Sequence, residues 1–143
     1  MRRVSDILAS KTSQDIHSIS PDASVFEAVQ LMAKERVGAL LVMEDKALIG
    51  IITERDYARK IAVRLKKSRT TPVKDIMSAP VIHVTPRHTS DDCLVLMARH
   101  QLRHLPVMKN GSPVGMISIR DLVDEIVADR RLLEVDQANT GEN

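Results

Sequence analysis

Apolar residues along this chain change spacing in a fixed order, and do so twice. Short apolar runs at 16–19 and 81–84 read as strands, and they stop at Ser20-Pro21 and Thr85-Pro86. Proline holds the residue before it extended, which makes these natural strand ends. Positions three and four apart come next: Ala28, Leu31, Met32 and Glu35 in one stretch, Cys93, Leu96, Met97 and Gln101 in the other. That spacing predicts amphipathic helices capped by Ser24 and Thr89. β-rich runs at 38–43 and 104–108 lead into short turns, Glu44-Asp45-Lys46 and Lys109-Asn110-Gly111. The Asn-Gly pair predicts a type I′ hairpin. Return strands are expected at 48–53 and 113–118, closing helices at 54–67 and 119–133, and a disordered polar end over 136–143.

The two series are copies of one unit. Gly50-Ile51-Ile52-Thr53-Glu54-Arg55-Asp56 is echoed by Gly115-Met116-Ile117-Ser118-Ile119-Arg120-Asp121 at an offset of 65, and the echo runs back through Pro21 and Pro86. Upstream, Val4-Ser5-Asp6-Ile7-Leu8 matches Val73-Lys74-Asp75-Ile76-Met77 at an offset of 69. The difference places a small loop insertion in the first copy, around Ser10 to Gln14. A half of a 143-residue chain is marginal on its own, so the copies must share burial. The expected division is repeat 1 over 1–68, repeat 2 over 69–135 and a tail over 136–143.

Composition narrows the partners. Hydrophobic content of 43% and charged content of 28% suit a globular protein, while one Tyr, one Phe and no Trp leave packing to aliphatic side chains and seven Met. Few aromatic platforms are available for single-stranded nucleic acid, and a net charge of +2 creates no strong general field for a polyanion. With one cysteine, no signal-like N-terminus and no stretch long enough to span a membrane, a cytoplasmic protein is expected. Neither nucleic acid nor membrane is an expected partner.

Candidate chemistry sits at both strand-to-helix junctions. Thr53 and Ser118 place a hydroxyl beside the unpaired first-turn N–H groups and the positive end of a helix dipole, where a phosphate is favoured. Asp56 and Asp121, three residues on, could accept two ribose hydroxyls. The same spacing is also a capping-box variant, so helix capping and ligand binding both stand as readings of these residues.

With the Val-x-Asp-Ile-Met opening, the Arg103-His104-Leu105-Pro106-Val107 strand and two Gly-x-x-Thr/Ser-x-x-Asp endings in register, the chain resembles a tandem pair of cystathionine β-synthase (CBS) domains over about residues 4–127. The resemblance implies an α+β fold of two β-α-β-β-α repeats about a pseudo-twofold axis, forming one module that commonly dimerises through its helices. It also implies adenine-nucleotide sites, for AMP, ADP, ATP or NAD(H), built from both repeats. One site would join Thr53, Arg55 and Asp56 to Ile82, His83 and Val84 and to Arg103, His104 and Pro106. The other would join Ser118, Arg120 and Asp121 to Ile16, His17 and Ser18 and to Gly38, Ala39 and Leu41. Arg103 and His104, facing Gly38 and Ala39 across the pseudo-axis, favour the Thr53 site for a charged nucleotide. The implied role is regulation of a separate protein, as a homodimer, with no catalytic residues and no obligatory cofactor. A nucleotide-independent dimerisation scaffold is the alternative.

Other groupings carry less. The basic run from Arg59 to Arg69 falls at a helix C-terminus, where cations complement the dipole, and is a weaker candidate for nucleic acid. His17, His83, His88, His100 and His104 lack metal-ligand spacing, so no metal is expected. Cys93 lies on an apolar helix face and reads as core.

Overall fold

A computed structural model describes residues 2–11 and 16–141. Its elements are α1 (Val4–Ser10), β1 (Ser18–Ile19), α2 (Val25–Glu35), β2 (Ala39–Glu44), β3 (Ala47–Thr53), α3 (Glu54–Tyr57), α4 (Ser90–His100), β4 (His104–Lys109), β5 (Ser112–Ser118) and α5 (Ile119–Gly141). The α+β class and the repeated order agree with the expectation. Ser24 caps α2 by accepting the Glu27 N–H at 3.1 Å, and Thr89 with Asp92 forms a full capping box on α4. Asn110 and Gly111 take φ of 52° and 78°, as a type I′ turn requires; Asp45 and Lys46, at 48° and 68°, make the matching turn in the first repeat.

Four expectations change. Strand 16–19 is regular only at Ser18–Ile19, which pairs parallel to Leu41 and Val42, and 81–84 is reduced to a single bridge between Val84 and Val107. Pro80 and Pro86 flank the latter stretch without N–H donors, and the Val84 N–H to Pro106 O and Met108 N–H to Val84 O bonds anchor it at one residue. The helix expected over 54–67 is α-helical only to Tyr57 and widens into a π-helical turn, Ala58–Ala62. That widening coincides with Lys60, whose ammonium reaches both Asp56 and the Ile76 carbonyl. Helix α5, without Gly or Pro from Ile119 to Thr140, continues through the end expected to be disordered as far as Gly141. Helix α1 answers to no sequence expectation, and residues 12–14 of the expected insertion lie outside the described residues.

Two hydrophobic cores form, and the opening segments are exchanged between them. Val4 and Ile7 of α1 pack with Val84, Cys93, Met97, Leu105, Val107, Ile117 and Leu122 of the second repeat. Val73 and Ile76 pack with Val25, Ala28, Met32, Leu40, Val42, Ile52 and Ile61 of the first. Backbone bonds repeat the exchange: Val4 N–H to His88 O at 2.8 Å and Ser90 N–H to Arg2 O at 2.8 Å correspond to Val73 N–H to Ala23 O and Val25 N–H to Thr71 O, both also 2.8 Å. Each repeat is therefore completed by chain from the other, which fixes the pair as one unit.

Candidate functional site

The exchange leaves a cavity of about 1130 Å³ walled by both repeats. One wall comes from Arg2, Ile7, Ser10, Lys11, Ile16 and His17; a second from the end of α2 and start of β2, Glu35 to Ala39; and a third from Arg103, His104, Met116, Ser118 and the α5 residues Ile119 to Asp121, Asp124 and Glu125. The volume is ample for a small organic ligand, whose sites typically measure about 300–1000 Å³.

The backbone holds the two pseudo-equivalent junctions alike. Glu54 N–H donates to Gly38 O at 3.0 Å and Ile119 N–H donates to Arg103 O at 2.8 Å, so each helix start is tied to the strand start beside it. The His104 ring lies over Gly38: a β-carbon there would fall 3.3 Å from His104 Cε1. A side chain at Gly38 would crowd the other repeat's imidazole. Burial lowers the His104 pKa below its ordinary value, Asp121 opposing and Lys11, Arg103 and Arg55 assisting, so near neutral pH the ring is uncharged.

Of the residues anticipated for the Ser118 site, Ser118, Arg120, Asp121, Ile16, His17, Gly38 and Ala39 all line this cavity, whereas Ser18 is exposed on β1 and Leu41 is fully buried. Ser118 and Asp121 form a reciprocal cap, Ser118 N–H to Asp121 Oδ2 at 2.8 Å and Asp121 N–H to Ser118 Oγ at 3.2 Å. Lys11 Nζ also reaches Asp121 Oδ2, at 3.0 Å. Among the described residues, the hydrogen bonds accepted by the Asp121 carboxylate thus fall on Oδ2.

Of the residues anticipated for the Thr53 site, Arg103 and His104 line this same cavity, and Thr53, Arg55, Asp56, Ile82, His83, Val84 and Pro106 do not. Asp56 is buried with both oxygens engaged. Oδ2 accepts Thr53 N–H at 3.0 Å and its hydroxyl at 3.1 Å, while Oδ1 accepts Ser78 Oγ at 3.2 Å and Lys60 Nζ at 3.1 Å. Arg55 donates across the repeats to Gln101 O at 3.0 Å. Ile82 and Val84 belong to the second core, Pro106 is buried, and His83 is exposed. The described cavity thus lies beside Ser118, and Arg103 and His104, anticipated for the Thr53 site, form part of its wall.

Sequence reasoning missed Lys11 and Glu125. Lys11 lies in the unmatched insertion, where no register predicts a partner. Glu125 had a signal: at the offset of 65 it replaces Lys60, exchanging the cation beside Asp56 for a carboxylate beside Asp121. Glu125 is nine-tenths buried, its Oε2 has no hydrogen-bond partner among the described residues, and burial raises its pKa, with Arg2 opposing and Asp129 and Asp6 adding.

Within the basic run, Lys60 serves Asp56 and Ile76, and Arg69 lies 4.3 Å from the Phe26 ring centroid. Cys93 is fully buried, as expected of a core position. Among the described residues no cluster of three or more potential ligands could hold a metal, and no helix is long and apolar enough to cross a membrane.

Comparison with known proteins fixes the family. The CBS domain family model matches residues 4–63 and 73–128. The chain belongs to the CBS domain family. It is 40% identical over 136 residues to the CBS domain-containing protein CBSX3, mitochondrial, of Arabidopsis thaliana; the match takes in 90% of this chain but only 66% of that longer protein. A solved protein with CBS domains from Burkholderia ambifaria MC40-6 is 42% identical, with a TM-score of 0.86 over 89% of this chain and 95% of that one. A hexameric CBS-CP12 protein from bloom-forming cyanobacteria is 27% identical, with a TM-score of 0.76 over 98% of this chain and 90% of that one.

Proposed function

We propose that this CBS pair binds an adenine nucleotide, AMP, ADP, ATP or NAD(H), in the cleft beside Ser118 and through it regulates a separate protein in the cytoplasm. The observation that carries the reading is Asp121 Oδ1, which accepts no hydrogen bond among the described residues, at the wall of a two-repeat cavity that Arg36, Arg103 and Arg120 also line. A carboxylate oxygen suits a sugar hydroxyl, and guanidinium groups suit phosphate. The cap does not preclude this role, because capping consumes Oδ2 alone.

A ligand touching both repeats favours the arrangement in which their walls are correctly spaced, and a partner that distinguishes arrangements reads its presence. The reading is regulatory and assigns no catalytic residue. Self-association belongs to the same proposal. Val95 on α4 and Val123, Ile126 and Val127 on α5 are roughly half exposed, and the last three share one face at spacings of three and four. Their first-repeat counterparts, Gln30, Ala58, Ile61 and Ala62, include no such exposed patch of large side chains. A homodimer built on the second-repeat helices would cover it.

Thermal shift tests the ligand. A nucleotide at a hundred times its dissociation constant should add about 2.7 kcal/mol of stability. Asp121→Asn should reduce the shift and Asp56→Asn should leave it. No response to AMP, ADP, ATP or NAD(H) would leave the nucleotide-independent scaffold as the function.

A further inference from the structure

The turn that follows the π-helical segment of the first repeat carries apolar side chains outward. Every residue from Ala62 to Lys67 is exposed, Val63 by 77% and Leu65 by 90%, while Ile61 just before them is buried in the first core. The backbone fixes this display. Val63 N–H donates to Ala58 O and Lys66 N–H to Ile61 O, both at 3.1 Å, and Leu65 between them takes a φ of 56°. That left-handed position at a helix end usually holds glycine or asparagine, because a β-carbon is penalised there. A leucine in a disfavoured conformation, with almost nothing packed against it, is a strain that folding alone does not recover. At the offset of 65, Val63 and Leu65 correspond to Ala128 and Arg130 inside the unbroken α5, so the feature belongs to one repeat only.

Charge surrounds the two aliphatic side chains. From Tyr57 to Lys74 the chain carries no Asp or Glu. Lys60 is paired with Asp56, Lys74 with Asp22, and Arg69 lies over Phe26. Arg59, Arg64, Lys66 and Lys67 are exposed and, among the described residues, enter no ion pair. The net charge of +2 for the whole chain hides this concentration.

The occupant has to offer negative charge with an apolar layer beneath it. Nucleic acid offers the first without the second, and rings for stacking are lacking here, since Phe26 is covered by Arg69 and Tyr57 packs on the first core. A second copy meeting this patch across a twofold axis would set like charges against each other. An acidic protein would need a socket shaped to both side chains, whereas a fluid interface needs none. An anionic lipid surface has both properties, acidic headgroups outside and acyl chains within reach of short side chains.

We propose that this turn docks the module on an anionic lipid surface, Val63 and Leu65 entering the headgroup boundary while Arg59, Arg64, Lys66 and Lys67 lie on acidic headgroups. The contact is peripheral, for among the described residues no helix is long and apolar enough to cross a membrane. It is independent of nucleotide binding, and it departs from the partners expected on whole-chain composition.

Cosedimentation of the full chain with vesicles tests this, using phosphatidylcholine alone and phosphatidylcholine containing phosphatidylserine. Binding should require phosphatidylserine and weaken with salt. Leu65→Gly suits the left-handed backbone, so it should keep the thermal midpoint while weakening vesicle binding about fivefold or more. Lys66→Gln and Lys67→Gln should each weaken it about fivefold, a difference that high salt erases. Val63→Ser supplies a second apolar probe should Leu65→Gly perturb the turn. A short DNA duplex is titrated alongside. Absence of binding to phosphatidylserine vesicles, or binding that neither Leu65→Gly nor Val63→Ser weakens, overturns the proposal. So does tighter binding to the duplex that both variants retain, which would return the basic run to nucleic acid.

Discussion

Leu8 lies directly across Gly115: a β-carbon on the glycine would fall 2.7 Å from Leu8 Cδ2 and 3.0 Å from Cδ1. The pseudo-equivalent pair is Met77 on Gly50, at 2.5 Å from Sδ. The glycines are therefore the seats on which the exchanged segments rest. Gly115→Ala should destabilise by about 1–3 kcal/mol through overpacking, read from urea unfolding. Leu8→Ala vacates that space, so the double variant should be less destabilised than the sum of the singles. Strict additivity would show that the segment is not seated there.

The exchange explains what the sequence could and could not reveal. Element order was legible because its boundaries are local: Pro21, Pro86, the Asn110-Gly111 turn and the caps Ser24 and Thr89 act within a few residues. Helix α1 was hidden because its support is distant. Its N-cap Arg3 makes no side-chain cap bond, and the helix is held by bonds to His88 and Pro86 and by burial of Val4 and Ile7 in the other repeat. For the site, repetition pointed to Ser118 and Asp121. It could not show that Lys60 and Ser78 both engage Asp56 Oδ1 while Lys11 joins the cap on Asp121 Oδ2, since those pairings are set in three dimensions.

That difference makes Asp56 a structural residue. Asp56→Ala removes half of a capping box and leaves Lys60 and Ser78 without their acceptor, a loss of about 2–4 kcal/mol. Asp56→Asn retains an acceptor and should lose less. Chemical denaturation in the absence of nucleotide measures both. A neutral Asp56→Ala would mean that the bonds around this carboxylate contribute nothing net.

Cys93 should resist thiol reagents in the folded protein. Burial first, then Asp92 and Glu125, push its pKa up to about 11, so little thiolate exists near neutral pH. Ellman's reagent should therefore react only as fast as the protein opens, and reaction should accelerate in denaturant. Rapid labelling under native conditions would show the second core to be open.

The apolar face of α5 gives a prediction about assembly. Ile126→Asp introduces charge into the half-exposed face of Val123, Ile126 and Val127, so it should dissociate a dimer with little loss of protomer stability. Sedimentation velocity of wild type and variant measures this. The matched change on the other repeat, Gln30→Asp, should leave association intact; equal effects would place the contact elsewhere.

Stability against pH separates Glu125 from His104, because their shifts act oppositely. The Glu125 pKa is raised by burial, so the folded state holds that proton more tightly than the unfolded chain. Its contribution is fully present below the ordinary value of 4.5 and is lost as pH rises through the folded pKa. Glu125→Gln should accordingly stabilise the ligand-free protein at pH 7, with a gain that shrinks on acidification toward pH 4.5. The His104 pKa is lowered by burial, so the unfolded chain takes the proton first and stability falls as pH drops below the ordinary value of 6.5. His104→Gln should flatten that acid limb. Urea midpoints from pH 4.5 to 7.5 for the three proteins resolve the two effects. A Glu125→Gln variant no more stable than wild type at pH 7 would show that the carboxylate is solvated in the cleft rather than held there unpaired.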